Sequence, residues 1–178
     1  IAQLELPWSP EMVEGFRVMV GGTIEAARLA VEHGTIVGHI GGGLHHAFPN
    51  HGEGFCPFND VAVAIRRLQK DGAIQRAMTV DCDVHHGNGT AAIFPPDRHL
   101  HNTLPSALPS LTTHDSQLTT HNVFTISLHQ QNNYPAYKPP SSIDVDLPDG
   151  ITDDDYLAWL DNALSSGLRQ FQPDLICY

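Results

Sequence analysis

The chain reads as an α/β domain built on a largely parallel sheet, and three observations predict it. Short β-rich runs alternate with longer stretches of helical periodicity, the pattern of strands joined by crossover helices. The helical stretches carry capping residues at their expected starts and stops. Polar, glycine-rich motifs follow directly after strand runs, where open α/β sheets gather their ligands. With 178 residues, 41% of them hydrophobic and 16% charged, the chain is long enough for one globular domain with its own core.

The elements follow in order. Ser9-Pro10-Glu11 marks a helix start: a capping hydroxyl, a proline in the first turn and an acid at the positive helix end. Phe16, Met19, Val20, Ile24, Ala27, Leu29 and Val31 then recur at roughly helical spacing until Gly34, a residue suited to ending a helix. Gly21-Gly22 weakens this helix but permits close packing. Thr35 to Ile40 reads as a short strand running into Gly41-Gly42-Gly43, and a second helix fits Phe58 to Lys70, stopped by Asp71-Gly72. Ala77 to Asp81 reads as a buried strand, and Gly87-Asn88-Gly89 opens a short helix through Phe94. Val123 to Leu128 is another strand. Thr152 with Asp155 resembles a capping box opening a helix to Phe171, and Pro173 breaks it before a final strand at Leu175-Ile176-Cys177-Tyr178. That apolar run, and Ile1 in place of a methionine, make both ends read as incomplete.

One domain is expected over residues 1–178, interrupted by a long irregular loop from Pro95 to Asn122. The loop is rich in proline, serine and threonine and lacks apolar periodicity, so solvent exposure is expected for it. Among its histidines, His99, His101 and His114 define no common metal geometry.

The net charge is −11, which repels phosphate backbones and excludes nucleic acid as a natural partner. Cationic substrates suit that charge, as does an acidic surface that only aids solubility. Cys56, Cys82 and Cys177 form no C-x-x-C pair, an odd set that fits a reducing, cytoplasmic setting better than a disulfide framework. No apolar run approaches the length of a membrane span, and no signal sequence is visible, so no membrane partner is expected. The sequence carries no signal for oligomeric state.

The strongest chemical signal is Asp81-Cys82-Asp83-Val84-His85-His86-Gly87-Asn88-Gly89. Asp81, Asp83 and His85 alternate, so on an extended strand end they share one side. A carboxylate and an imidazole together are two ligands of a typical catalytic zinc site, which takes a third from the protein and keeps a place for water. The same residues read alternatively as satisfied polar groups at a strand-to-helix turn. Burying them without a cation is costly, which favours the metal. Gly41-Gly42-Gly43-Leu44-His45-His46 offers a tight backbone fold and a proton-transfer pair. Gly52-Glu53-Gly54-Phe55-Cys56-Pro57-Phe58-Asn59-Asp60 is a glycine-rich turn before a helix, in which Gly54 and Phe55 can line an apolar slot. Cys56 is read as a packing residue in preference to a nucleophile.

Taken together, Gly42 to Ala47, Gly54-Phe55-Cys56 with Asn59-Asp60, Asp81 to Gly89, and Ile126-Ser127-Leu128-His129 resemble the histone deacetylase superfamily in order and spacing. Gly21-Gly22-Thr23 and Leu147-Pro148-Asp149-Gly150 are similar to its bacterial or class IV-like branch. The resemblance implies a three-layer, mostly parallel sheet of arginase/deacetylase type, incomplete at both ends. It implies zinc, or ferrous iron, bound by Asp83 and His85, with a third ligand beyond Tyr178. It gives His46 the role of general base and acid, His45 that of its electrostatic partner, and Asp81 that of orienting His45. Asn88 stands where some branches place an aspartate to orient the second histidine, and an amide there lowers the basicity of His46. Gly54 is implied to hold the substrate amide through its carbonyl, and Phe55 and Tyr134 to wall the substrate tunnel. Ser127 and Leu128, with groups around Asp81, Asp83 and His85, are implied to form a structural potassium site.

The expected reaction is zinc-dependent removal of an acetyl or similar acyl group from a lysine side chain or an acetylated polyamine-type amine. Two rivals stand beside it. A ureohydrolase of the same fold needs a further carboxylate just after the metal-binding histidine, where His86, Gly87 and Asn88 stand. A non-catalytic binding relative would keep the fold without turnover.

Overall fold

A computed structural model describes residues 4–96 and 122–178. The elements in chain order are α1 (Pro10–His33), α2 (Asp60–Lys70), β1 (Ala77–Asp81), α3 (Asn88–Ile93), β2 (Val123–Gln130), β3 (Ile143–Leu147), α4 (Asp153–Gln170) and β4 (Leu175–Cys177). The strands form one parallel sheet in the order β3-β2-β1-β4.

The two faces of the sheet bury separate cores, which makes three layers. On one face Ala77, Val123 and Leu175 pack with Ala27 of α1, Ala62, Ile65 and Leu68 of α2, and Phe94. On the other, Met78, Val80, Phe124, Ile126, Leu128, Ile143 and Val145 pack under α4 with Ala163 and Phe171. Burial on both faces is why β1 and β2 read as continuous apolar runs. α4 lies so close to the sheet that a Cβ on Gly167 would come 2.9 Å from Ile126 Cδ1.

The caps form as the sequence indicates. Ser9 accepts from the Met12 N–H, and Gly34 closes α1 in the left-handed region at φ 58°. Thr152 accepts from the Asp155 N–H and donates its hydroxyl to the Asp155 carboxylate. Gly22 lies so close beneath the His39 ring that a Cβ there would force the ring to move.

Three expectations are corrected. Thr35 to Ile40 is not a strand: Ile36 and Ile40 are 86% and 105% exposed, and no strand among the described residues pairs with this run. β-Propensity reflects fit to a pleated, half-buried surface, and here no such surface is offered. Conversely, Ile143-Asp144-Val145-Asp146-Leu147 is a strand that the expectations omitted, although it alternates apolar and polar residues throughout. α2 begins at Asp60, with Asn59 as its cap, so Phe58 lies outside it. The long loop expectation falls on residues 97–121, outside the described residues, as do His99, His101 and His114. Among the described residues no helix is long and apolar enough to cross a membrane.

Candidate active site

The site forms at the carboxyl end of β1, between the loop preceding α2 and the turn leading into α3. β1 ends at Asp81. Beyond it Asp81 Oδ1 accepts from the Asp83 N–H at 3.0 Å, and Asp83 Oδ1 accepts from the His85 N–H at 2.7 Å. These are two successive aspartate-closed turns. They, and not strand alternation, bring Asp83 Oδ1 to 3.0 Å from His85 Nδ1. Two ligands of one tetrahedral zinc lie about 3.3 Å apart, so the pair fits a shared metal ion. The side chains of Asp83 and His85 remain 50% and 39% exposed. Their burial therefore demands no cation, and their convergence is what supports one.

His45 and His46 sit on the adjoining loop, with ring centroids 4.1 Å apart. Asp60, fully buried, holds that loop: its carboxylate accepts from the Gly43 N–H at 3.1 Å, the Leu44 N–H at 2.7 Å and the Thr23 hydroxyl at 2.6 Å. From the other side the Thr90 N–H donates to the His45 carbonyl at 3.0 Å. A Cβ on Gly89 would overlap the Ala47 carbonyl, so only glycine lets α3 approach this closely.

The two histidines have different partners. His45 Nδ1 lies 2.6 Å from Asp81 Oδ2, and His46 Nδ1 lies 2.8 Å from Asn88 Oδ1. Burial pushes the His45 pKa down, but the Asp81 hydrogen bond and charge, with Asp83 and Asp60, outweigh it and leave it raised. Burial first, and then the neighbouring His45 charge, lower His46 to about 4 against the Asn88 bond. One imidazole is thus biased toward the cation and its neighbour toward the neutral base.

Over the pair, Gly54 and Phe55 both adopt left-handed φ values, 52° and 63°. For phenylalanine this backbone is strained, and it leaves the ring exposed on the loop. A Cβ on Gly54 would come 2.7 Å from the His46 ring and 3.0 Å from the Tyr134 hydroxyl. Tyr134 stands edge-on to both histidines, with centroids 5.0 Å from His46 and 5.9 Å from His85. The Cys56 thiol donates to the Gly54 carbonyl at 3.3 Å. Burial raises its pKa to about 11, which suits a packing role and not a nucleophile.

Asp81 and Ser127 are register partners on β1 and β2, which places Ser127 and Leu128 beside the Asp81–His85 turn. Ser127 Oγ also lies 3.0 Å from His129 Nδ1.

Three features escaped the sequence reading. Asp60 reads in the sequence only as the end of the glycine-rich run before α2 and is the clamp of the histidine loop. Glu53 looked like part of a glycine-rich turn. It accepts from Asn88 Nδ2 at 2.7 Å and from the Tyr134 hydroxyl at 2.9 Å, both at Oε1. Finally, His86, His129 and Asp144 bring ligand atoms within 4.8 Å of one another, all buried. His86 Nε2 is 3.2 Å from Asp144 Oδ1. Asp146 Oδ1 comes within 3.0 Å of His129 Nε2, but off the direction of a ring N–H bond, so that nitrogen stays without a hydrogen bond. This trio depends on β3, the strand missed above. Among the described residues, no third metal-binding side chain completes a set of three with Asp83 and His85.

Comparison with known proteins agrees with this geometry. The histone deacetylase domain profile matches residues 2–178. An uncharacterised protein of Picosynechococcus sp. is 42% identical over 176 residues, covering 99% of this chain and 51% of that protein. Histone deacetylase 2 of Arabidopsis thaliana is 36% identical over 167 residues, covering 92% of this chain and 37% of that protein. Acetoin utilization protein AcuC of Staphylococcus aureus is 31% identical over 159 residues, with 89% and 38% covered. The chain thus spans about half or less of the length of these relatives. Among solved structures, an HDAC homolog from Aquifex aeolicus superposes with a TM-score of 0.72 at 26% identity, over 97% of this chain and 43% of that one. The three-layer parallel sheet, the loop-borne histidine pair and a profile match across nearly all residues converge: this chain belongs to the histone deacetylase family.

Proposed function

We propose that this chain carries the proton-transfer pair and two metal ligands of a metal-dependent amide hydrolase, one that removes acetyl or similar short acyl groups from lysine side chains or polyamine-type amines. The observation that carries the reading is the opposite polarisation of His45 and His46 beside the converging Asp83–His85 pair. The His46 and His85 ring centroids lie 6.0 Å apart.

Asp83 and His85 would hold zinc, or ferrous iron, together with a further protein ligand. When bound, such an ion polarises the acyl carbonyl and acidifies the attacking water. The chain's own residues supply the rest. The Asn88 bond occupies His46 Nδ1 and leaves Nε2 to take a proton from the attacking water and return it to the leaving amine. His45, kept toward its cationic form by Asp81, sets positive charge next to the oxyanion that develops. The Gly54 carbonyl receives the substrate N–H, and Phe55 and Tyr134 flank the alkyl stem. Ser127 and Leu128, with Asp81, Asp83 and His85, would hold potassium behind the site. A cytoplasmic setting is supported by three free cysteines.

A two-metal ureohydrolase is disfavoured on steric as well as chemical grounds. At Gly87 a Cβ would overlap Asp81 Oδ2, so a carboxylate side chain there would have to displace the Asp81 carboxylate from His45.

The test is hydrolysis of acetyl-lysine peptides and N-acetylated polyamines by the protein at full natural length, before and after chelation and metal return. Turnover that needs the metal and is abolished by His46→Ala is expected. Turnover unaffected by either treatment would overturn the reading.

A further inference from the structure

We infer that Glu53 is a positioning residue that supplies, through Asn88, the negative charge which the amide itself cannot give to His46. The inference deepens the functional reading above and rests on His46 being the base.

The geometry is a continuous chain. His46 Nδ1 meets Asn88 Oδ1 at 2.8 Å, and Asn88 Nδ2 donates to Glu53 Oε1 at 2.7 Å. The direction of each bond is determined by its ends. The Gly89 N–H, which can only donate, also points at Asn88 Oδ1, at 3.0 Å. A carboxylate can only accept, so Asn88 must turn its amide nitrogen to Glu53 and its oxygen to His46. His46 is then the donor at Nδ1, and Nε2 is the nitrogen left with a lone pair. An ionised acceptor at the far end polarises the amide between, so Asn88 Oδ1 is a stronger acceptor than an isolated asparagine.

Glu53 is built to stay charged there. Burial raises its pKa, but the bonds from Asn88, Tyr134 and His51 outweigh that and lower it. The same oxygen binds the Tyr134 hydroxyl at 2.9 Å, so one carboxylate ties the base to the aromatic wall beside it. A carboxylate at position 88 would stand about 2.7 Å from that of Glu53, and two such groups do not both ionise comfortably. An acid at 53 and an amide at 88 therefore work as a pair.

The decisive experiment is a charge swap in the full-length protein, read by steady-state kinetics and by the hydrogen-bonded Nδ1–H proton resonance of His46. Glu53→Gln keeps the shape and removes the charge: kcat should fall roughly tenfold with KM little changed, and the N–H resonance should move upfield. Asn88→Asp alone should also lose activity. The double variant Glu53→Gln with Asn88→Asp should recover most of the kcat and restore the downfield resonance, a reversal that loss of a mere structural bond would not produce. Glu53→Gln indistinguishable from wild type in both readouts, or a double variant no better than the worse single one, would overturn the inference. The resonance needs neither metal nor substrate, so absence of hydrolysis would sink the functional reading while the N–H shift still decides on Glu53.

Discussion

Removing the Asp60 carboxylate should cost more stability than any surface substitution, and should loosen the histidine loop specifically. Asp60 is 0% exposed and accepts from the Thr23 hydroxyl and from the backbone of Gly43 and Leu44. Asp60→Ala leaves the Gly43 and Leu44 N–H groups without an acceptor, at about 1–3 kcal/mol each, whereas the Thr23 hydroxyl keeps the Met19 carbonyl and His39 Nδ1 within reach. Relief of the carboxylate's burial returns part of that, so a net loss of about 2–4 kcal/mol is expected. Asp60→Asn keeps the shape and one acceptor, and should lose about 1–3 kcal/mol. Urea unfolding, followed by the fluorescence of Trp8 and Trp159, measures both. Because Gly43 and Leu44 directly precede His45, the Asn variant should also lower kcat under conditions where it is fully folded. Asp60→Ala losing less than about 1 kcal/mol, or folded Asp60→Asn with unaltered kcat, would show that the loop holds its shape without the clamp.

Other expectations are more quickly stated. His46 is held at about 4, below its ordinary 6.5, so the acid limb of the pH–rate profile should lie below the usual histidine range; a limb near 6.5 would contradict this. By linkage the unfolded chain binds more protons between those two values, so the stability that His46 contributes is lost as pH falls through that window, measurable as a falling Tm. His45 has the opposite sign: its pKa is raised, so activity that needs its charge fades as pH rises, and Asp81→Asn should move that basic limb to lower pH. Gly21→Ala in α1 meets nothing within 4 Å and should stabilise by about 0.5–1 kcal/mol, whereas Gly22→Ala would strike His39 and should destabilise; equal Tm shifts would refute the packing account. Asp83→Ala and His85→Ala in the full-length protein should each abolish stoichiometric metal, read by elemental analysis; the Tm of the metal-free form should stay nearly unchanged in His85→Ala, whose ring is partly exposed, and fall slightly in Asp83→Ala, which also loses the bond from the His85 N–H.

Much of this protein is determined locally and is therefore legible in the sequence. The Ser9 cap, the Gly34 stop and the Thr152–Asp155 box each depend on residues within a turn of one another. The apolar runs of β1 and β2 announce a sheet covered on both faces. The ordered motifs around His45, Asp81 and Ser127 are sufficient to indicate the family. Pairing is what the sequence alone does not decide. Thr35 to Ile40 has the composition of a strand but no neighbour to complete its backbone hydrogen bonds, while Ile143 to Leu147 becomes a strand because β2 offers it a ladder. Hydrogen bonds across long separations are likewise a tertiary product. Asp60 reaches back to Thr23 and the glycine loop, Glu53 reaches forward to Asn88 and Tyr134, and Asp144 arrives beside His86 only through the sheet. A carboxylate carries no mark in the sequence of which donors the fold will bring to it. Residue types and spacing thus determined that chemistry gathers after β1, and the packing of α3 and the loops determined which partner each histidine meets, Asp81 for His45 and Asn88 for His46.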